Sequence, residues 1–370
     1  MTTPGAGARV SQGGGSSIPS AGRESTGGAA TTGGAATTGG APATTRGGAG
    51  NAGTRAANAD AGAAGEAGAG ERAPSLVAHP AGNCGKLRLA LSSSALYYTV
   101  ASMGIVARLS LTDFGSTPVA FEQAVPTLIQ VRGDTVFWLT EADNTIHRGN
   151  DPTPVVTAAA PIHGFTVDEA GKNVYYSSGG SLYGLALGTS SSVELATESE
   201  GGLPQGLAVY KSWLAYPTDI TGDVDVVQLG VGGPAVCAHD ATFDTSKCER
   251  IERSQGLLDF EQVAFDAGRV YWINGQQIRA SYAFDPSPIV RTVANANDEA
   301  LAITAFTVAN NAVYATDTLG DILSAQLVDN PDTVTVTLAQ DQAHPSSIVA
   351  NATHVYWAND RCQIWRIPVP

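Results

Sequence analysis

Lysine is scarce in this chain and occurs only at positions 86, 172, 211 and 247. Lysine and arginine together number 20 against 34 aspartates and glutamates, so the formal net charge is −14. A protein that binds a nucleic-acid backbone needs a basic stripe or patch. The charge balance therefore predicts that nucleic acid is not a partner.

The sequence also lacks a C-x-x-C pair, so a structural zinc site is poorly supported. Its four cysteines form an even set, which favours two disulfides and an oxidising, extracytoplasmic compartment. Four free thiols in a cytosolic protein are the alternative. No nucleophile elbow, phosphate-binding loop, dinucleotide fingerprint or H-E-x-x-H motif occurs. No catalytic residue or cofactor is therefore predicted, although a divalent cation stays open.

Residues 1–75 contain no apolar run long enough for a signal-peptide core or a transmembrane segment. They are rich in Gly, Ala, Ser and Thr, and they repeat Gly-Gly-Ala-Ala-Thr-Thr from Gly27. Such a segment cannot offset the entropy of ordering, so we expect a disordered tether or, alternatively, a translated artefact. Export then requires a signal upstream of a mis-assigned gene start, which we favour, or unconventional secretion.

A repeated unit organises residues 76–370. Each copy has an alternating apolar strand, then a Val or Leu followed by aromatic residues, a polar turn and another short apolar strand. The second strand of the seven copies opens at Leu96, Val136, Val174, Leu214, Val270, Val313 and Val355. Successive openings are 40, 38, 40, 56, 43 and 42 residues apart. Four short strands per period of this length predict an all-β, seven-bladed β-propeller, with six or eight blades as alternatives.

The strands Val355-Tyr356-Trp357 and Ile364-Trp365-Arg366 carry a family resemblance. With them the repeat region resembles YWTD/NHL-type propellers, and especially the secreted or lipoprotein propellers of myxobacteria. That resemblance implies an exported, tethered binding or scaffold module. The alternative it leaves open is an enzyme, either a metal-dependent lyase or lactonase or a quinone-dependent oxidoreductase. We expect a monomer whose partner is a protein, a glycan or a small cationic ligand.

Loops that enter a first strand and turns that join second to third strands should emerge on the same face of the propeller. Any ligand is expected there, and the acids indicate a cation or a cationic group. The candidate residues are His79, His163, His344, Asp219, Asp223, Asp317, Asp321 and Asp360. Three imidazoles converging at the channel mouth could bind a metal, but turn chemistry explains them equally well.

A second, weaker metal candidate lies in the turn of the fourth copy, where Asp219, Asp223 and Asp225 recur at short spacing. Hard oxygen ligands at such spacing are typical of calcium loops, but the turn lacks a terminal bidentate glutamate. Ordinary turn chemistry is the favoured interpretation.

The last copy ends at Pro370 without an outer strand. The stretch from Leu76 to Pro80 resembles a fourth strand, so we predict that it completes the last blade from the N-terminal side. This topology places Cys84 beside Cys362 and predicts a disulfide between them. Cys237 and Cys248 lie in the long fourth connection and are predicted to form the second disulfide.

Overall fold

Seven antiparallel sheets follow one another along the chain, as the repeat predicts. The computed structural model describes residues 73–80, 82, 84–197, 206–217, 224–230, 235–236, 246–252, 262–283, 289–296, 301–327 and 334–370. The expected tether, up to residue 72, lies outside the described residues. No described helix is long and apolar enough to cross a bilayer.

The strands are numbered in chain order, beginning with β1 (Ser75–Ala78). Blade one has β2 (Leu87–Leu91), β3 (Ala95–Val100), β4 (Ile105–Ser110) and β5 (Ser116–Ala120), with a 3-10 turn at Ala101–Met103. Blade two has β6 (Pro126–Arg132), β7 (Thr135–Thr140), β8 (Thr145–Arg148) and β9 (Asp151–Thr157). Blade three has β10 (Ile162–Val167), β11 (Asn173–Ser178), β12 (Ser181–Ala186) and β13 (Val193–Thr197).

Blade four has β14 (Ala208–Tyr210), β15 (Trp213–Pro217), β16 (Val224–Gln228) and, after the short β17 (Ala235–Val236), β18 (Cys248–Glu252). Blade five has β19 (Val263–Asp266), β20 (Arg269–Asn274), β21 (Gln277–Tyr282) and β22 (Arg291–Asn295). Blade six has β23 (Ile303–Ala309), β24 (Ala312–Asp317), β25 (Ile322–Gln326) and β26 (Thr335–Ala339). Blade seven has β27 (Pro345–Ala350), β28 (His354–Asn359) and β29 (Ile364–Pro368). The first strands of neighbouring blades contact one another and are therefore innermost.

The paired aromatic residues of the second strands explain how the blades pack. Neighbouring residues of a strand point to opposite faces of the sheet. In blade seven, Tyr356 packs against blade one and Trp357 against blade six. Tyr271 and Trp272 of blade five divide in the same way between blades six and four. Each of these aromatic pairs thus fills both of the interfaces that its blade makes with its two neighbours.

Two second strands carry alanine at one of these two positions, and the packing shows why this is tolerated. Ala215 of blade four is in the same apolar cluster as the fully buried Trp272 of blade five. Ala315 of blade six lies in one cluster with Tyr271. A small side chain therefore faces a large aromatic ring across the interface, which keeps the space between blades filled.

The ring closes between the two ends of the repeat region. Strand β1 pairs antiparallel with β29, and Ser75 lies opposite Arg366 while Ala78 lies opposite Ile364. The Arg366 Nε donates to the Ser75 hydroxyl at 3.2 Å, and its guanidinium lies 4.4 Å from the centre of the Phe114 ring of blade one. Blade seven thereby gains its outer strand from the N-terminal side.

The long connection of blade four pairs with a neighbouring blade. Its strand β17 adds to the outer strand β13 of blade three in parallel, with Ala196 opposite Ala235 and Thr197 opposite Val236. Sheet three consequently has five strands. The connection thus covers part of an outer edge that would otherwise be open to pairing with another chain.

Candidate ligand-binding face

One side of the propeller carries the loops that enter the first strands and the turns that join second to third strands, because strands alternate in direction within each blade. We call this side the entry face. Its described loops include residues 79–80, 84–86, 101–104, 121–125, 141–144, 318–321, 340–344 and 360–363.

The exposed charges of the entry face are mostly negative. Its exposed acids among the described residues are Glu122, Glu141, Asp143, Asp341 and Asp360. Its exposed bases among them are Lys86 and Arg361. On the opposite face, three described turns hold an acid and a base together, namely Arg132 with Asp134, Glu169 with Lys172, and Asp266 with Arg269, while a fourth holds Asp113 alone. Negative charge is therefore concentrated on one face, which favours a cationic ligand there.

The entry face also exposes large apolar side chains, which sequence reasoning did not single out. Phe121 and Leu319 are each 60% exposed, Val125 45% and Met103 43%. Phe121, Val125 and Met103 lie together at blades one and two, because Gln123 donates its backbone N–H to the Gly104 carbonyl at 2.9 Å. Apolar residues in turns otherwise rich in Gly, Asn and Asp were the available signal for this feature.

Asp317 ends the second strand of blade six and is fully buried. Its Oδ1 accepts the backbone N–H of Leu319 at 3.0 Å and of Asp321 at 2.9 Å, while its Oδ2 has no hydrogen-bond partner. Asp321 is itself buried. Burial raises the pKa of the Asp317 carboxyl, and the nearby charge of Asp321 raises it further, against the opposing effect of the backbone N–H donors.

Blade seven contains the same five-residue turn with amides in place of the carboxylates. The Oδ1 of Asn359 accepts the backbone N–H of Arg361 and of Gln363, each at 3.1 Å. Its Nδ2 donates to the Oε1 of Gln363 at 3.2 Å. The two turns share their backbone hydrogen bonds, since Asp317 and Asn359 each donate N–H to the carbonyl four residues on. Asp360, a predicted ligand-face residue, is exposed on this turn.

The three predicted histidines occupy loops that enter first strands. His79 follows β1 and is exposed, His344 precedes β27 and is exposed at a φ of 52°, and His163 is half-buried at a bulge in β10. Within the described part of the chain, His, Cys, Asp and Glu residues form no group of three or more that could hold a metal ion. A three-histidine metal centre is therefore not formed by these residues.

The carboxylate of Asp225 has a structural partner. It is fully buried and accepts from the Nε of Arg250 at 2.9 Å and from its Nη2 at 3.0 Å, directly across β16 and β18. This bidentate contact accounts for Asp225 without a metal. Asp219 and Asp223, the other two members of the proposed calcium loop, lie outside the described residues.

Polar side chains at the inner edge of the ring satisfy backbone groups of the next blade. The Gln130 side chain donates to the Phe165 carbonyl at 2.9 Å and accepts the Val167 N–H at 3.2 Å. Gln262 donates to the Phe306 carbonyl at 2.6 Å and accepts its N–H at 2.9 Å. Each side-chain amide thus pairs with backbone N–H and C=O groups at the inner edge of the next blade, as a neighbouring strand would. Sequence reasoning missed these residues because no local pattern marks them.

The cysteines divide between the ring closure and the blade-four connection. Cys84 and Cys362 form a disulfide, as predicted, with their Cα atoms 5.6 Å apart. Cys248 is buried on β18 and is disulfide-bonded. Its predicted partner, Cys237, lies outside the described residues, so that pairing stays a prediction.

These features define an all-β, seven-bladed propeller with an acidic, partly apolar entry face. No family model and no curated protein matches the sequence. Among solved structures, the chain is similar to virginiamycin B lyase from Staphylococcus aureus, at 12% identity and a TM-score of 0.64 over 81% of this chain and 100% of that one.

Two further solved structures share the fold. The Cps50 (Swd1) β-propeller domain of Myceliophteria thermophila matches at 11% identity and a TM-score of 0.59, over 80% of this chain and 100% of that one. BamB from Moraxella catarrhalis matches at 11% identity and a TM-score of 0.52, over 76% of this chain and 84% of that one. At these identities the comparisons establish the fold alone.

Proposed function

We propose that this chain is an exported, tethered propeller of the YWTD/NHL type that binds a cationic, partly apolar ligand on its entry face. The observation that carries the proposal is the unequal distribution of charge between the two faces. Exposed acids of the entry face stand mostly without a base in the same loop, as at Glu122, Asp143 and Asp341. On the opposite face, three described acids share their turns with Arg132, Lys172 and Arg269, whereas the exposed Asp113 has no base in its turn.

The apolar residues supply the second part of the recognition. Phe121 and Val125 flank the exposed Glu122. An apolar group of the ligand would contact Phe121 and Val125 while its positive charge faces Glu122. Burial of apolar area provides affinity, and the charges provide direction and association rate. A short basic segment of a protein partner has this combination of properties.

Export is supported by the disulfide at the ring closure, because disulfides persist in oxidising compartments. The composition of residues 1–75 supports the tether. The enzymatic alternative would require several convergent acids, amides or histidines at the channel mouth. Gln130 and Gln262, which lie at the inner edge, are instead engaged with backbone groups of the next blade.

The test compares two triple variants in calorimetric titrations with a short peptide of alternating lysine and leucine and with spermine. The first variant, Glu122→Gln/Asp341→Asn/Asp360→Asn, neutralises exposed acids of the entry face. The control, Asp134→Asn/Glu169→Gln/Asp266→Asn, makes the same change in net charge on the opposite face.

The peptide is expected to bind the wild type and the control equally and the entry-face variant at least tenfold more weakly. Spermine, which lacks an apolar part, should bind more weakly than the peptide. Equal losses in both variants would mean that the peptide responds only to net charge, and the proposed face would then be wrong.

A further inference from the structure

The outer strand of blade six differs from the outer strands of the other blades. Natural proteins protect such edges with proline, charge, short length or a covering segment, because an unprotected edge pairs with other chains. Strand β26 is the last strand of its sheet, and residues 334–339, Val-Thr-Val-Thr-Leu-Ala, contain neither proline nor charge. Each other outer strand has a proline or a charged residue in it or directly before it. One such residue per strand is Pro74 before β1, Pro118 in β5, Pro152 in β9, Glu194 in β13, Glu249 in β18 and Arg291 in β22.

The same strand exposes apolar surface next to blade seven. Val336 is 53% exposed. It lies opposite Ser324, and Ser324 lies opposite Tyr314, which packs in the apolar cluster between blades six and seven. Leu76, 48% exposed on β1, lies opposite Trp365, which packs against that same cluster. Residues opposite one another on neighbouring strands share a face of the sheet, so Val336 and Leu76 border the same cleft at the rim.

We propose that this chain forms a two-fold homodimer in which β26 pairs antiparallel with β26 of a second copy along the outer edge of blade six. The pairing removes apolar area from water at Val334, which is 73% exposed, and at Val336. The first strands are innermost, so β26 lies at the rim, where a second copy can approach it. This inference goes beyond the proposed function, because the interface is at the rim and not on the entry face. It replaces the monomer that the sequence led us to expect.

The sequence of β26 is complementary to itself in this arrangement. A two-fold axis at Val336 places the two copies of this valine opposite each other, and Thr335 of each copy opposite Thr337 of the other. These three residues pair regularly with β25, up to a bulge of the kind that every outer strand has. A two-fold axis also brings any charge close to the same charge of the second copy. In a chain with a formal net charge of −14, an uncharged strand is therefore the favourable place for a symmetric contact.

The experiment measures the dissociation constant of the dimer by sedimentation velocity of the full chain across a wide range of concentrations. The wild type should dimerise with a constant in the micromolar range, because the contact between two edge strands is short. Val336→Lys places two positive charges opposite each other at the axis and should weaken the dimer at least tenfold. Val193→Lys is the matched control, because Val193 is a 64% exposed valine on the outer strand β13, and it should dimerise like the wild type. A cooperative melt of each variant verifies that it folds.

An equimolar mixture of Val336→Lys and Val336→Glu tests the symmetry of the contact. Opposite charges then meet at the axis, so the mixture should form a heterodimer that is tighter than the dimer of either variant alone. A wild type that stays monomeric, a Val336→Lys dimer as tight as the wild type, or a mixture that associates no better than its components would each overturn the proposal. Added salt screens the repulsion between two acidic copies and should tighten the wild-type dimer, whereas it should weaken binding of the basic peptide to the entry face. The two proposals can therefore fail separately.

Discussion

Cys84 and Cys362 are joined across 278 residues of sequence, with Cα atoms 5.6 Å apart, at the point where the first blade meets the last. Both are buried in the apolar cluster between these two blades. The same junction holds the pairing of β1 with β29. These covalent and hydrogen-bonded links hold the last blade to the first and so oppose opening of the ring at this interface.

Removal of this disulfide is expected to destabilise the protein. In the chain-entropy account, a link that closes so long a loop contributes roughly 5 kcal/mol, an upper estimate. Cys84→Ser should therefore lower the melting temperature under non-reducing conditions. With a reductant present, wild type and variant should melt together, and a difference that persists there would indicate a packing effect of the serine.

Deletion of the closing strand should also be costly. Removing residues 74–80 exposes the edge of β29 and takes away the partly buried Val77 and Ala78. The lost hydrogen bonds and apolar contacts amount to roughly 3 kcal/mol. Removing residues 1–70, which the composition predicts to lack a core, should leave the urea midpoint unchanged. Equal midpoints for the two truncations would contradict closure by β1.

The sequence was informative where a structural role repeats and uninformative where a contact occurs once. The doublets such as Tyr271-Trp272 must fill two interfaces in every blade, so they recur and identify the second strands. The pairing of β17 with β13 involves two residues and depends on the path of a single connection. Likewise, Gln262 is identified only by the position of Phe306 in the next blade.

The second-to-third-strand turns of blades six and seven, which form part of the entry face, were recognisable in part from the sequence. Asp317 and Asn359 each lie four residues after the start of a second-strand motif, at Val313 and Val355, so an alignment of the copies already matches them. What the sequence could not show is that Asp317 is buried with an unpartnered oxygen while Asp360 is exposed. Burial of a turn residue depends on the loop that crosses it from the next blade.

The ion pair between Asp225 and Arg250 should be costly to break and much cheaper to replace. Asp225→Ala removes the carboxylate that pairs with a guanidinium only 13% exposed, and about 3–5 kcal/mol of stability should be lost. The double variant Asp225→Leu/Arg250→Met should recover most of it, because the packing is retained without buried charge. Urea denaturation of the single and double variants measures the difference. A double variant as unstable as Asp225→Ala would show that loss of the ion pair itself, and not the buried charge that remains, sets the cost.

The amide of Gln262 should stabilise the inner edge of blade six. Gln262→Leu removes the donor to the Phe306 carbonyl and the acceptor of its N–H, so about 1–2 kcal/mol of unfolding free energy should be lost. Gln326→Leu, at an exposed position on β25, is the matched control and should change little. Hydrogen exchange at the Phe306 amide should accelerate in Gln262→Leu alone. Unchanged exchange would argue against a stabilising contact between Gln262 and the Phe306 backbone.

The last prediction concerns pH and the buried carboxyl of Asp317. Its pKa in the folded protein is raised above the ordinary value of 3.8, chiefly by burial and further by Asp321. The folded state therefore holds the Asp317 proton more tightly than the unfolded state does. The favourable contribution is fully present below the unfolded pKa and is lost as pH rises through the folded pKa.

Asp317→Asn should remove this dependence. At pH 7 the variant should be more stable than the wild type by about 1 kcal/mol, because its amide can donate to Asp321 as Asn359 donates to Gln363. The advantage should shrink as pH falls and the wild-type carboxyl takes up its proton. Asn359→Asp is the reciprocal variant, and it should lose stability at pH 7 because the Gln363 Oε1 also accepts from the Trp365 ring nitrogen at 3.2 Å and is held in place. Chemical denaturation of all three proteins across this range measures the effect, and an advantage for Asp317→Asn that grows toward pH 4 would show that the Asp317 carboxyl is charged at low cost in the fold.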